Sequence, residues 1–120
     1  MNILFVDDHI ACTEMLVDIA ESAGHYACAA HDGASALKRC SEETFDLILM
    51  DISLPDTDGR DVCRELRSNM HTQRIRIVAL TGHAELKGSS CMSDFDDCIV
   101  KPITMKALES LLSTTMPIPE

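Results

Sequence analysis

The chain has 120 residues, of which 46% are hydrophobic and 25% are charged, as is typical of one folded domain and not of a disordered or fibrous protein. Its formal net charge of −10 argues against direct binding of nucleic acid, which requires clustered lysine and arginine. The sequence contains no basic secretion signal and no apolar run near the roughly 20 residues that cross a bilayer. We therefore expect a cytoplasmic protein without membrane insertion.

The six cysteines do not follow the spacing of a zinc site. No two of them form a C-x-x-C pair, and no histidine-rich segment accompanies them. A chain of this size is also not a small secreted scaffold that depends on disulfides. We expect Cys12, Cys28, Cys40, Cys63, Cys91 and Cys98 to act mainly as small apolar residues.

Short apolar runs predict five strands, at residues 3–6, 26–30, 47–50, 75–80 and 98–100. Between and after them, apolar residues recur at helical spacing. The first predicted helix covers residues 11–23 and stops at Gly24. The second opens at Asp32 and Gly33, and the third carries Val62, Leu66 and Met70.

A fourth helix is predicted less strongly over residues 84–95, because Gly88 and two serines weaken it. Thr104 can cap the last helix, in which Leu108, Leu111 and Leu112 share one face. Strands that alternate with helices in this way predict an α/β fold, a doubly wound (βα)5 three-layer sandwich around a parallel sheet. We expect one domain over residues 1–116. Residues 114–120 show no helical pattern, and residues 117–120 form a flexible tail or the start of a linker.

Polar side chains follow four of the predicted strands, at the point where each strand ends. Asp7 and Asp8 follow the first strand, Asp51 the third, Thr81 the fourth and Lys101 the fifth. The carboxyl ends of parallel strands meet at one edge of the sheet, so these groups should lie together. Three neighbouring carboxylates repel one another, and a hard cation such as Mg²⁺ relieves that repulsion. One aspartate can then attack a phosphoryl group, whose oxygens a lysine and a hydroxyl neutralise and hold.

The segments that carry these residues resemble the four signature regions of response-regulator receiver domains, the CheY-like superfamily. They are residues 4–8, residues 46–55 with Asp58 and Gly59, residues 79–82 and residues 100–102. The likeness covers residues 2–113. It implies a flavodoxin-like sheet in the strand order 2-1-3-4-5 and a protein that is phosphorylated on aspartate.

The resemblance also implies a role for each residue of the site. Asp51 corresponds to the phosphoacceptor, and Lys101 and Thr81 to the groups that bind the phosphoryl oxygens. Mg²⁺ would be held by Asp8, by Asp51 and by the backbone carbonyl of Ser53, with Asp7 acting through a bound water.

Four further positions are implied to modulate the site. Pro102 would follow a cis peptide bond that aims Lys101 into the cleft, and Gly82 would leave space for the phosphodonor. Cys98 stands where the family usually has tyrosine or phenylalanine, so the aromatic switch is absent or replaced. Even so, we expect phosphorylation to shift the loop after Thr81. His83 is a solvent-facing loop residue, or it alters the lifetime of the phosphorylated state.

The favoured function is a receiver in a two-component or phosphorelay system. It would take a phosphoryl group from a histidine kinase or a histidine phosphotransfer protein, and would bind an effector on the face formed by the fourth helix, fifth strand and fifth helix. It would catalyse only its own phosphorylation and dephosphorylation. The alternative is a receiver of a hybrid sensor kinase that passes phosphate to a histidine phosphotransfer domain.

Two other classes share parts of the pattern. An aspartyl phosphatase or phosphotransferase of the haloacid dehalogenase type usually has a second aspartate where this chain has Ser53. A flavin or nucleotide binder would need a phosphate-binding loop after the first strand, where Asp7 and Asp8 stand instead.

Overall fold

A computed structural model describes residues 1–82 and 94–115 of the chain. In this part, five parallel strands form one sheet in the predicted order β2-β1-β3-β4-β5. The strands are β1 (Asn2–Val6), β2 (Tyr26–Ala30), β3 (Leu47–Asp51), β4 (Arg76–Thr81) and β5 (Asp97–Val100). The helices in the same residues are α1 (Ile10–Ser22), α2 (Gly33–Glu42), α3 (Gly59–Arg67) and α4 (Met105–Thr115).

The central strands are continuously apolar because helices cover both faces of the sheet. One buried cluster lies against α2 and α3; it includes Leu4, Val6, Ile48, Met50, Ile77, Ala36, Cys40, Val62 and Leu66. The other lies against α1 and α4; it includes Ile3, Phe5, Leu49, Val78, Leu80, Leu16, Ala20, Leu108, Leu111 and Leu112. Burying each leucine or isoleucine contributes about 2 kcal/mol, so the two layers fix the sheet whose edge carries the polar residues.

The helix ends follow the predicted capping signals. Gly24 follows α1 with a φ of 91°, a conformation that glycine adopts without strain. Asp32 begins α2 by accepting the N–H of Ser35 at 2.7 Å, and the hydroxyl of Thr104 accepts the N–H of Ala107 at 3.0 Å at the start of α4. In the described part of the chain, no helix is long and apolar enough to cross a membrane.

The third and last helices end at other places than the sequence predicts. Helical spacing places Met70 on α3, but this helix ends at Arg67 and Met70 is 86% exposed. The Arg67 guanidinium donates to the carbonyls of Gln73 and Ile75 and so helps to hold the turn that leads into β4. The last helix continues through Thr115, whereas residues 114 and 115 were expected to lack structure.

Two predicted segments lie outside the described residues. Residues 83–93 contain most of the helix expected over residues 84–95; Asp94 and Phe95 lie in the turn before β5. Residues 116–120 contain the expected tail at residues 117–120.

The cysteines in the described residues are free thiols, and several are small members of the core. Burial raises the pKa of Cys63 to about 12 and that of Cys40 to about 11. Both therefore remain neutral thiols near pH 7, which suits apolar packing and disfavours metal ligation.

Candidate functional site

The topology brings the predicted polar residues to one edge of the sheet. Asp51 is the last residue of β3 and Thr81 is the last residue of β4, while Asp7 follows β1 and Lys101 follows β5. These four strands are consecutive neighbours in the sheet. Because the strands are parallel, their carboxyl ends meet at one edge of the sheet, and each strand places its polar residue in the same cleft.

Three carboxylates meet in this cleft. Oxygens of Asp7, Asp8 and Asp51 all lie within 4.8 Å of one another. Asp7 and Asp51 are only 2% and 4% exposed, whereas Asp8 is exposed. Two buried acids next to a third on the surface form a concentrated negative charge that is open to solvent on one side.

Lys101 offsets part of this charge. Its ammonium Nζ donates to Asp7 Oδ2 and to Asp51 Oδ2, both at 2.9 Å. The lysine side chain is 33% exposed, so its charged end lies between the buried acids and the solvent. One cation thus bridges two carboxylates that come from different strands.

Backbone N–H groups orient the same two carboxylates. The N–H of His9 donates to Asp7 Oδ1 at 2.9 Å, and the N–H of Ser53 donates to Asp51 Oδ1 at 3.1 Å. Each buried acid therefore has one oxygen bonded to a local N–H and the other bonded to Lys101. These contacts fix the direction of both side chains.

The environment separates the acidities of the two buried acids. Burial, together with the Asp7 charge, raises the pKa of Asp51 despite its bonds to Lys101 and the Ser53 N–H. Burial also opposes ionisation of Asp7, but the His9 N–H and Lys101 outweigh it and hold the pKa of Asp7 below its ordinary value. Asp51 is thus the acid whose negative charge this structure compensates less.

The pKa of Lys101 responds to both acids. Burial alone would lower it, but the contacts with Asp7 and Asp51 outweigh burial and raise the pKa above its ordinary value. The lysine therefore stays charged throughout the neutral range.

The oxygen ligands present suit a hard divalent cation. Three carboxylates within reach of one ion, one of them open to solvent, match the preference of Mg²⁺ for a few carboxylates and several waters. Sulfur and imidazole ligands, which would favour zinc, are not part of this cluster in the described residues.

Thr81 and two of the modulating positions, Gly82 and Pro102, lie at or just after the ends of β4 and β5. Thr81 is 2% exposed, and its carbonyl accepts the N–H of Lys101 at 2.7 Å, which links the ends of β4 and β5. The Lys101–Pro102 peptide bond is cis, as the resemblance to receiver domains implies. Gly82 is exposed, and a Cβ atom there would meet no described atom within 4 Å. His83 lies outside the described residues.

Cys98 lies in the core. It is 7% exposed and forms a small buried cluster with Ile52 and Ala79, against which Phe95 packs. Ile52 directly follows Asp51 in the chain, so this cluster touches the segment that carries the acid. The position expected for an aromatic ring thus holds a small side chain with an aromatic residue beside it.

Two contacts at the site were not predicted from the sequence. The Asp56 carboxylate accepts the N–H groups of Gly33 and Ala34 at the start of α2. Gly59 lies so close to Asp51 that a Cβ atom would collide with the Asp51 carbonyl. Local sequence patterns predict neither contact, because each joins residues that are not near neighbours in the chain.

Comparisons with known proteins agree on one family. The family model described as "Response regulator receiver domain" matches residues 3–113. Sensor histidine kinase RcsC of Salmonella typhi is 34% identical over 113 residues, which cover 94% of this chain and 12% of the kinase. Sensor histidine kinase GacS of Pseudomonas protegens is 34% identical over 116 residues, which cover 92% of this chain and 13% of the kinase. The chain thus spans about an eighth of the length of these relatives.

Solved structures show the same fold. A response regulator receiver domain from Methylobacillus flagellatus is 28% identical, with a TM-score of 0.88, 97% of this chain covered and 98% of that chain covered. Response regulator protein TrrA from Thermotoga maritima, solved in complex with Mg²⁺-BeF, is 25% identical, with a TM-score of 0.85 and coverages of 96% and 98%. With its five-stranded parallel sheet and a family match over nearly its whole length, this chain belongs to the response regulator receiver domain family.

Proposed function

We propose that the chain is a phosphoacceptor domain in which Asp51 takes a phosphoryl group from a phosphohistidine. The observation that carries the proposal is the environment of Asp51, a buried acid bonded to Lys101 and clustered with Asp7 and Asp8. A structural acid would need only a partner of opposite charge. Here two further carboxylates share the cleft, which costs stability and is typical of a functional site.

The chemistry follows from the groups in the cleft. A carboxylate oxygen of Asp51 attacks phosphorus and forms an O–P bond, and the N–P bond of the donor breaks. The electron pair of that bond goes to the donor imidazole, whose other ring nitrogen carries a proton during the transfer, so that it leaves as neutral histidine. Lys101 neutralises negative charge on the transferred oxygens, and the Thr81 hydroxyl donates a hydrogen bond to one of them.

The metal site belongs to this proposal. Asp8, Asp51 and the Ser53 carbonyl would hold Mg²⁺ directly, and Asp7 through a water. When bound, Mg²⁺ supplies positive charge that allows the carboxylates and the phosphoryl oxygens to approach one another. The TrrA structure supports a Mg²⁺ site in a domain of this fold, because that protein was solved in complex with Mg²⁺-BeF.

The donor has space to approach beside the acids. A cavity of about 580 Å³ lies between the start of α1 and the segment after β5, and its lining includes Asp8, Met15, Lys101 and Ile103. Asp51 itself does not line this cavity, so we propose that the donor protein occupies it beside the acceptor and presents its histidine from there. The phosphorylated state would then be read by an effector on the face formed by β5 and its neighbouring helices.

The relatives favour a second candidate within the same chemistry. Both relatives named above are sensor histidine kinases, and in such a protein the domain would relay its phosphoryl group to a histidine phosphotransfer domain. Transfer of phosphate from the phosphorylated chain to a histidine phosphotransfer domain, in a purified mixture, would favour the relay. Stable binding of an effector protein without phosphate transfer would favour the first candidate, a domain whose phosphorylation controls the binding of a partner.

The direct test of phosphoacceptance uses the wild-type chain. Incubation with Mg²⁺ and acetyl phosphate should add the mass of one phosphoryl group, measured on the intact protein. Chelation of Mg²⁺ with EDTA should prevent the addition, because the cleft then keeps its carboxylate repulsion. If the mass stays unchanged when Mg²⁺ and acetyl phosphate are both present without EDTA, the proposal is contradicted.

Asp8→Asn should weaken Mg²⁺ binding by roughly tenfold or more, since it removes one of the three carboxylates. Asp8 is exposed, so the fold should be unaffected. Calorimetric titration with MgCl₂ measures the change. Asp18→Asn is the matched control, because Asp18 is an exposed aspartate on α1 outside the carboxylate cluster. Equal Mg²⁺ affinities of the two variants would show that Asp8 is not a metal ligand.

A further inference from the structure

The Asp56 carboxylate links the loop after β3 to the start of α2. Its Oδ1 accepts the N–H of Gly33 at 2.8 Å, and its Oδ2 accepts the N–H of Ala34 at 3.0 Å. The first N–H groups of a helix have no partner inside the helix, and a carboxylate is favourable there. These two bonds hold the pKa of Asp56 below its ordinary value, so the link is charged at neutral pH.

The approach of the loop to α2 is close. A Cβ atom on Gly33 would meet the Val62 side chain at 3.0 Å and Asp56 Oδ1 at 3.3 Å, and would collide with the methyl group of Thr57. A larger residue at position 33 would force the Thr57 and Val62 side chains, and to a smaller extent Asp56, to shift. The Asp56 carboxylate is exposed, but the loop and α2 are closely packed at Gly33.

The same loop carries the proposed metal ligand Ser53. Residues 52–58, here called the acceptor loop, begin directly after Asp51. The base of the loop is closed by the Gly59 N–H, which donates to the Ile52 carbonyl at 2.8 Å, and by pairing of Ser53 with Asp58. Asp56 adds an anchor in the middle of the loop. Ser53 thus lies between Asp51 and the anchor on α2.

We propose that Asp56 is a positioning residue that holds the acceptor loop so that the Ser53 carbonyl is ready to bind Mg²⁺. This inference rests on the proposed function, which places Mg²⁺ beside Asp51. A ligand fixed before binding does not have to be ordered during binding, and this preorganisation raises affinity. Groups that orient metal ligands without touching the ion typically change metal affinity by about 10- to 100-fold.

The chain offers a matched control on the same helix. Asp32 also caps α2, through the N–H of Ser35 at 2.7 Å, but it does not belong to the acceptor loop. Asp56→Ala and Asp32→Ala each remove one acidic cap of α2, and both should lower thermal stability. Only Asp56→Ala should release the loop.

Calorimetric titration of the whole chain with MgCl₂ tests the proposal. We expect the Kd of Asp56→Ala to rise roughly tenfold above that of the wild type, and the Kd of Asp32→Ala to stay near the wild-type value. Phosphorylation by acetyl phosphate gives a second readout. In Asp56→Ala, the Mg²⁺ concentration at half-maximal rate should rise while the rate at saturating Mg²⁺ is retained. A merely less stable protein would lose active fraction without shifting that midpoint.

The outcomes separate this inference from the function on which it rests. A wild-type chain that binds no Mg²⁺ would overturn the proposed function itself. If the wild type binds Mg²⁺ and Asp56→Ala binds it equally well, only the positioning role is overturned. An equal loss of affinity in Asp32→Ala would also overturn it, because the effect would then come from α2 and not from the loop.

Discussion

Asp51→Asn will abolish phosphorylation of the chain by acetyl phosphate. The amide of asparagine has nearly the shape of the carboxylate but lacks the negatively charged oxygen that attacks phosphorus. The fold should survive the change. Burial raises the pKa of Asp51, so the folded state favours the protonated carboxyl group. This contribution to the stability of the fold is complete below the ordinary pKa of aspartate and is lost as the pH rises through the raised value. Near pH 7 the ionised acid is destabilising, and we expect Asn to be at least as stable without Mg²⁺.

Intact mass after incubation with Mg²⁺ and acetyl phosphate measures this result, and thermal unfolding in EDTA measures the stability. Asp18→Asn should gain the phosphoryl mass like the wild type, because Asp18 is exposed on α1 outside the carboxylate cluster. A phosphorylated Asp51→Asn protein would mean that another residue accepts the group. Asp7 and Asp8 would then be the first positions to replace.

Gly59→Ala will destabilise the fold by about 3 kcal/mol, as overpacking of a tight site does. The added Cβ would collide with the Asp51 carbonyl and lie 2.9 Å from Ile52 Cα, and backbone atoms cannot move aside as a flexible side chain can. Helix propensity predicts the opposite sign, because Gly59 is the first residue of α3 and alanine favours helices. Its φ is not positive, so the clash alone carries the prediction.

Urea unfolding measures the change, with Gly82→Ala as the control. A Cβ at Gly82 meets no described atom within 4 Å, so that variant should lie within about 0.5 kcal/mol of the wild type. Gly59→Ala should also bind Mg²⁺ more weakly, because relief of the clash moves the backbone that carries Asp51. A Gly59→Ala variant as stable as the wild type would contradict the prediction and show that the backbone at Asp51 and Ile52 shifts at little energetic cost.

The central strands are predictable because burial on both faces leaves a local signal. The run from Leu47 to Met50 is entirely buried, and the acid that follows it ends the strand. The start of α2 was equally clear, since Asp32 and Gly33 are a capping residue and a permissive first residue. In each case the decisive interactions span only a few residues.

The end of α3 was less predictable. Met70 has the spacing of Val62 and Leu66, so periodicity alone extends the helix to it. The chain turns earlier, after Arg67, whose guanidinium also donates to the Asp94 carbonyl and to the Asp96 carboxylate. This residue holds the turn into β4 together with the segment before β5. Its partners are 27 and 29 residues away, beyond the reach of a helical pattern.

The sequence by itself determined which residue types follow each strand, and the parallel order of the strands then required them to share an edge. Only the tertiary structure decided how they touch. Lys101 reaches Asp7 across 94 residues of chain and Asp51 across 50, and Asp56 caps a helix that begins 23 residues before it. Local patterns report burial and backbone preference, which act between near neighbours. Contacts between distant segments depend on how the helices pack on the sheet, and that packing sets which carboxylate meets which cation or N–H group.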